Sequence, residues 1–278
     1  MKPKTANSRE SSMPAKRAPL VFTYHVISPE RSSYAYSATC RQFDEHFSWL
    51  STLHSEQAND SKIRIPEVTF DDGKASDHDF AMPLLDKHRI RATFFVTAGH
   101  IENQTGFMTW QQVRRVADSG QQVQSHGWSH LLLNSATEAE LRNELEWSKK
   151  QIEDHIARPV TSLSLPGGRW NETVLRACKA AGYERVYHSN PWKPVDQRNG
   201  IEFIGRFMIR NSMSLSQLKS IADGDRFTLS ILRGQHLLKS SGKRIFGDRI
   251  YHSLWRRLAR ASSSSSGAPI QPAPEGRD

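Results

Sequence analysis

The chain has 278 residues, 37% apolar and 24% charged, which suffices for one large core of the size of a single α/β barrel. Its two cysteines, Cys40 and Cys178, form no C-x-x-C pair, so neither a disulfide framework nor a zinc-thiolate site is indicated. The net charge of +9 sits toward the ends, with +4 on residues 1–19, −1 on 20–232, +7 on 233–260 and −1 on 261–278, and a near-neutral body argues against a nucleic-acid-binding core.

Residues 1–18 are rich in Lys, Ser, Pro and Ala and read as a disordered basic tail, with no apolar run long enough for a signal peptide or a membrane span. A cytoplasmic protein is the expectation. A strand over Leu20–Val26 carries Tyr24 and His25, and a helix is expected over Gln42–His54. Ile63–Phe70 is a second strand that runs directly into Asp71-Asp72-Gly73. A helix over Ser76–His88, a strand over Ala92–Ala98 and a helix over Thr109–Ser119 follow. The strand Gln121–Ser125 leads into Ser125-His126-Gly127-Trp128-Ser129-His130. The clearest helix is Thr137–Ile156: Thr137 and Glu140 form a capping box, and Leu141, Leu145, Ser148, Ile152 and Ile156 mark one face. Strand Thr161–Leu165 precedes Pro166-Gly167-Gly168, helix Glu172–Ala181 comes next, and Arg185–Tyr187, Glu202–Ile209 and Phe227–Leu232 read as the last strands.

This alternation implies a largely parallel sheet covered by helices, with the active site at the C-terminal strand ends. The expected organisation is a tail at 1–18, a catalytic domain at 19–232, a basic amphipathic helical extension at 233–260 and a disordered Ser/Pro-rich tail at 261–278. In the extension, Phe246, Ile250, Leu254 and Leu258 lie at i, i+4 spacing opposite a basic face. Such a helix either packs on the barrel or lies peripherally on an anionic membrane surface through 243–260, at the inner face of the membrane.

Adjacent carboxylates at a strand end point in different directions, so of Asp71 and Asp72 one can bind a metal while the other faces substrate. An Asp-Asp-Gly turn without chemistry is the plain alternative. His126 and His130, four apart, can converge on one ion, and two imidazoles with one carboxylate leave coordination positions open.

Val68-Thr69-Phe70-Asp71-Asp72-Gly73 and Ser125-His126-Gly127-Trp128-Ser129-His130 resemble the first two signature motifs of the polysaccharide deacetylase (NodB-homology, carbohydrate esterase) family, and the similarity extends over Leu20 to Trp192, including Ala92-Thr93-Phe94-Phe95-Val96. The resemblance implies an α/β fold, a distorted, incomplete (β/α) barrel. It implies a hydrolase that removes the N-acetyl group from an amino sugar of a polysaccharide, oligosaccharide or lipid-linked glycan. Asp71 is then the catalytic base, Asp72, His126 and His130 hold one divalent ion, and the Gly167 N–H stabilises the oxyanion. Zinc suits the ligands, as do cobalt, nickel, manganese and iron.

Two family features are absent. Ser164 stands where an arginine precedes the proline of the third motif, with Arg169 the expected compensation, and no late Leu-His pair occurs in Phe227–Leu232. His25, His188 and His236 are candidates for the missing general acid, and His25 is preferred because Tyr-His occurs there in an exopolysaccharide-modifying branch of the family. Arg169, Trp128 and Trp192 are candidate substrate contacts. The alternatives are a catalytically degenerate, glycan-binding member of the same fold and, more remotely, nucleic-acid binding through the basic flanks. Oligomeric state and the identity of the glycan are not legible in the sequence.

Overall fold

In the computed structural model, which describes residues 19–58, 60, 63–193 and 195–237, the short apolar runs become strands and the capped segments between them helices. The expected amphipathic segment at 245–260 and both tails lie outside these residues. In chain order, β1 (Val21–Tyr24) is followed by a parallel pair, β2 (Val26–Ser28) and β3 (Ser37–Thr39), and by α1 (Cys40–Gln57). Then come β4 (Glu67–Phe70), α2 (Met82–His88), β5 (Ala92–Val96), α3 (Trp110–Asp118) and β6 (Gln122–Ser125). A long helix is built from α4 (Glu138–Arg142), a π turn at Asn143–Trp147, and α5 (Ser148–Ile156). The rest comprises β7 (Ser162–Ser164), α6 (Glu172–Ala180), β8 (Arg185–His188), β9 (Asp196–Arg198), β10 (Ile201–Gly205), β11 (Phe207–Met208), α7 (Leu215–Asp223) and a helix, α8, over residues 226–237.

The main sheet has nine strands in the order β11-β1-β4-β5-β6-β7-β8-β10-β9, all parallel except β9. Its two ends belong to one stretch of chain. β10 pairs with β8 (Gly205 opposite His188), and β11 pairs with β1 (Phe22 opposite Phe207), so the segment breaks at Arg206 and joins both edges. This rolls the sheet into a distorted barrel with fewer than the eight strand positions of a complete one, as expected.

Side chains alternate across each strand, which separates an inner set from an outer one. Outside, Tyr24, Phe70 and Phe94 stack face to face, with centroids 5.7 and 4.6 Å apart, and Phe43 and Phe47 of α1 meet Tyr24 edge-on. Inside, Arg185 near the N-terminal strand ends bridges Glu202 (2.9 Å) and Glu67 (3.4 Å). Above it lies an apolar layer of Val21, Phe95, Tyr187 and Ile204. Next come Thr23 and Thr69, hydrogen-bonded at 2.9 Å, and then Arg206 with Asp71.

The helix face read from the sequence at Leu141, Leu145, Ser148, Ile152 and Ile156 is buried throughout, and the Thr137–Glu140 capping box is present. The expected strand Phe227–Leu232 is instead part of α8, which also runs unbroken across the expected boundary at 232/233. Its apolar alternation at Phe227, Leu229 and Ile231 mimics a strand, but Asp225 accepts the Thr228 N–H at 2.8 Å and caps a helix. Leu229 and Leu232, three apart, then pack on the core, while Phe227 is left 75% exposed. Among the described residues no helix is long and apolar enough to cross a membrane.

Phe70 is central to the outer aromatic stack, so Phe70→Ala is expected to lower stability by about 3–5 kcal/mol. A shift of the urea midpoint equivalent to less than about 1 kcal/mol would show that the stack carries little of the core.

Candidate metal centre and active site

The functional side chains stand at the C-terminal ends of adjacent strands. After Phe70 the inward alternation continues to Asp71, which is buried. Asp72 then takes a left-handed backbone (φ 82°) that turns its carboxylate away from Asp71 and toward the β6 loop. There Asp72 Oδ1 lies 3.5 Å from Nε2 of His126 and 3.5 Å from Nε2 of His130. His130 is also left-handed (φ 61°), and for non-glycine residues such backbones persist only where the surroundings impose them.

The donor set fits a divalent ion. Ligand atoms roughly 2.0–2.1 Å from zinc at tetrahedral angles stand roughly 3.4 Å apart, close to the spacing seen. His126 Nδ1 bonds the Ser164 carbonyl at 2.8 Å, which puts the ring proton there and leaves Nε2 with a lone pair toward Asp72. Burial lowers the His126 pKa to about 4, so the imidazole is neutral, as a ligand must be. Asp72, His126 and His130 are the one such cluster among the described residues.

The loop between the two histidines is held by Glu144, a buried residue of the π turn. Its carboxylate accepts the Trp128 N–H at 2.8 Å and the Ser129 N–H at 3.0 Å, and also the Ser129 hydroxyl. Gly127 beneath it (φ 80°) has no room for a side chain, since a Cβ would lie 2.9 Å from Glu144 Oε2. Nothing in the sequence marked Glu144, because a π turn shifts the helix register by one residue and a regular 3.6-residue period does not show it.

Asp71 does not join the cluster. Its two oxygens receive Nη1 and Nη2 of Arg206, each at 2.8 Å, and Oδ2 also accepts from Ser164 Oγ at 3.0 Å. Arg206 further donates to Ser164 Oγ at 2.8 Å and lies over the rings of Phe95 and Tyr187. Burial pushes the Asp71 carboxyl up, but the charge of Arg206 and its hydrogen bonds overcome it and bring the pKa to about 2. The guanidinium that serves Asp71 therefore comes from Arg206, and not from Arg169 as expected. Ser164, in the place of the absent arginine, is small enough to admit it.

Of the three histidines considered as acids, His25 faces the site. Burial lowers its pKa against the pull of Asp72 and Asp71, its Nδ1 has no hydrogen-bond partner among the described residues, and its ring packs on Tyr36 at 5.2 Å. His188 packs on Phe203 and accepts the Asn190 N–H at 3.1 Å through Nδ1, while His236 lines a separate cavity. His100 was missed. It follows β5 by four residues, both ring nitrogens are buried without a hydrogen-bond partner among the described residues, and burial followed by the charge of His130 lowers its pKa to about 4. Its place just beyond a C-terminal strand end was the available signal.

Gly167 is exposed in the turn after β7, and the next N–H, of Gly168, is engaged by the Leu165 carbonyl at 2.8 Å. Trp128 packs on the core and meets Trp147 edge-on, whereas Trp192 lies against Phe207.

The barrel thus carries at its mouth a cluster of Asp72, His126 and His130 able to hold a metal ion and, separate from it, the buried carboxylate of Asp71. Residues 58–186 match the family model for polysaccharide deacetylase. The chain is 30% identical over 183 residues to YxkH of Bacillus subtilis (strain 168), which carries the family's name, covering 62% of this chain and 64% of that protein. It is 28% identical over 153 residues to a peptidoglycan-N-acetylglucosamine deacetylase of Bacillus cereus, covering 54% and 69%. The Streptococcus pyogenes deacetylase PplD, solved with acetate, superposes with a TM-score of 0.64 at 20% identity over 74% of this chain and 97% of that one, which bears on the fold. Over residues 58–186 the chain is similar to the polysaccharide deacetylase family, and it spans under two thirds of the length of YxkH.

Removing the guanidinium would leave the Asp71 carboxylate buried and uncompensated. Arg206→Met is expected to cost about 3–5 kcal/mol, and adding Asp71→Asn should restore much of it. Additive losses in this double-mutant cycle, read by urea unfolding, would show that the pair is not coupled.

Proposed function

We propose that the chain is a metal-dependent hydrolase that removes the N-acetyl group from an amino-sugar residue of a glycan. The observation that carries this reading is the division of labour between neighbours: Asp72 converges with His126 and His130, while Asp71 is kept off that cluster by Arg206. Asp72, His126 and His130 would hold a divalent ion, which would supply Lewis acidity to water and to the amide oxygen.

The protein's own groups do the rest. Asp71 takes the proton from the attacking water, and Arg206 and Ser164 keep its carboxylate ionised and aimed. The Gly167 N–H donates to the oxygen on which negative charge develops, in the exposed turn after β7. His25 gives a proton to the nitrogen as the C–N bond breaks, so that acetate and the free amine leave. Its support is position, since it feels the charges of both Asp72 and Asp71, whereas the charges acting on His188 are those of Arg206, Lys193 and Arg198. Arg169 and Trp128 remain candidate substrate contacts beside the turn and the β6 loop. The retention of the whole cluster favours an enzyme over a glycan-binding relic.

Asp71→Asn is expected to retain one zinc per chain and lose at least about 10³-fold in acetate release from N-acetylglucosamine oligomers, whereas the His126→Ala, His130→Ala double variant loses the metal. Full zinc retention in that double variant, by elemental analysis, would end the assignment. His25→Ala should lower kcat by about 10²–10⁴-fold with metal content intact. Normal turnover in His25→Ala alongside a crippled His100→Ala would move the role of acid to His100.

A further inference from the structure

The helix that follows the barrel, α8, has a face that is left open among the described residues. Leu229 and Leu232 pack on the core, and the opposite side presents Phe227, 75% exposed, and Ile231, 46% exposed. Gly234 continues this stripe at i, i+4, i+7 spacing, and a Cβ built there would meet nothing within 4 Å. Two large apolar side chains beside an open glycine match one half of a helix–helix contact.

The sequence holds a matching half. Leu238 is the next residue on the stripe, Ser240-Ser241-Gly242 then gives a turn signal, and Phe246, Ile250, Leu254 and Leu258 follow at i, i+4 spacing. The two apolar sets mirror each other about that turn. Phe227 and Leu254 are equidistant from the midpoint between Ser240 and Ser241, and so are Ile231 and Ile250, so an antiparallel pair of helices sets each opposite the other. Phe246 then falls beside Gly234, where there is room for its ring. The seven residues 238–244 between α8 and Ile245 lie within the roughly 2–8 that join neighbouring helices.

Charge and size separate this occupant from the others. Asp223 and Asp225, both exposed, stand at the start of α8 beside Phe227, and an anionic lipid surface would repel them. An antiparallel return of the chain instead brings Arg256, Arg257 and Arg260 toward that end. A second copy would be held by two side chains, far short of the roughly 1,200 Å² that stable association buries. A covalent tether lifts that requirement, since a short linker supplies an effective concentration of millimolar order.

We propose that residues 245–258 of this chain dock as an antiparallel helix on the outer face of α8, with Leu254 against Phe227 and Ile250 against Ile231. The pair clasps the segment that closes the barrel, because Leu232 and Gln235 of α8 line a cavity together with Arg206. The apolar face of the segment is then occupied within the molecule, and its basic side is turned outward.

The test is the rate at which a maleimide modifies Ile231→Cys in the full chain, read at that residue by mass spectrometry. Adding Leu254→Asp should speed the reaction about tenfold or more, the scale on which a local contact protects its surface, and Leu254→Met should leave it slow. Ser55→Cys, exposed on α1, should react alike in all three backgrounds. The pair Phe227→Cys and Leu254→Cys should close a disulfide within one chain under mild oxidation. Equal rates at residue 231 with and without Leu254→Asp would overturn the proposal. Protection that is lost on dilution, as a dimer dissociates, would overturn it in favour of a second copy. Protection that appears only with vesicles of phosphatidylglycerol and phosphatidylcholine would overturn it in favour of a lipid surface. Should Leu254→Asp fail to fold, Ile250→Asp takes its place and must speed the reaction. None of these readouts involves metal or turnover, so the outcome is independent of the deacetylase reading.

Discussion

The buried pair between Arg206 and Asp71 is the constraint on which both fold and site depend. Arg206 occupies the break between β10 and β11, where one stretch of chain leaves β8 and reaches β1, so its side chain enters the barrel at the point of closure. A lone guanidinium there would be prohibitively desolvated, and so would a lone carboxylate at Asp71. Each makes the other tolerable, with Ser164 completing the hydrogen bonds and the rings of Phe95 and Tyr187 flanking the cation.

The same pair separates two carboxylates that are adjacent in sequence. Without a cation of its own, Asp71 would compete for the charge that the cluster of Asp72, His126 and His130 is arranged to hold. Arg206 fixes Asp71 as an ionised but weakly basic group, and the left-handed turn at Asp72 sends the second carboxylate elsewhere. The π turn acts similarly on the other wall, where Glu144 neutralises three donors of the loop joining His126 and His130. The cluster is thus framed by side chains outside it that decide where Asp72, His126 and His130 stand.

Much of this was legible in the sequence because it is local. Asp71-Asp72-Gly73 and the His126–His130 loop directly follow strands whose apolar runs are unmistakable, and the long helix announced itself through its cap and its face. What escaped was either non-local or against the usual period. Arg206 lies 135 residues from Asp71, and no pattern in either segment names the other. Glu144 owes its position to a π turn, and Phe227–Leu232 alternates like a strand until the Asp225 cap is taken into account. His100 was passed over because it belongs to no motif and earns notice only from its place beyond β5.

The way the barrel closes also bears on how the molecule can come into being. The stretch that matches the family model ends at residue 186, before the closing strand and before the arginine. A chain emerging from the ribosome would therefore display Asp71, Asp72 and the histidines of the cluster well before the guanidinium that pairs with Asp71 exists, with the sheet still open at both edges. Ring closure between β11 and β1 joins residues far apart in sequence, a contact whose entropic cost is met late and which slows folding of such topologies. Until then the exposed edges of β1 and β8 are open to pairing with other chains, so the last quarter of the barrel guards against misassembly as much as it completes the site.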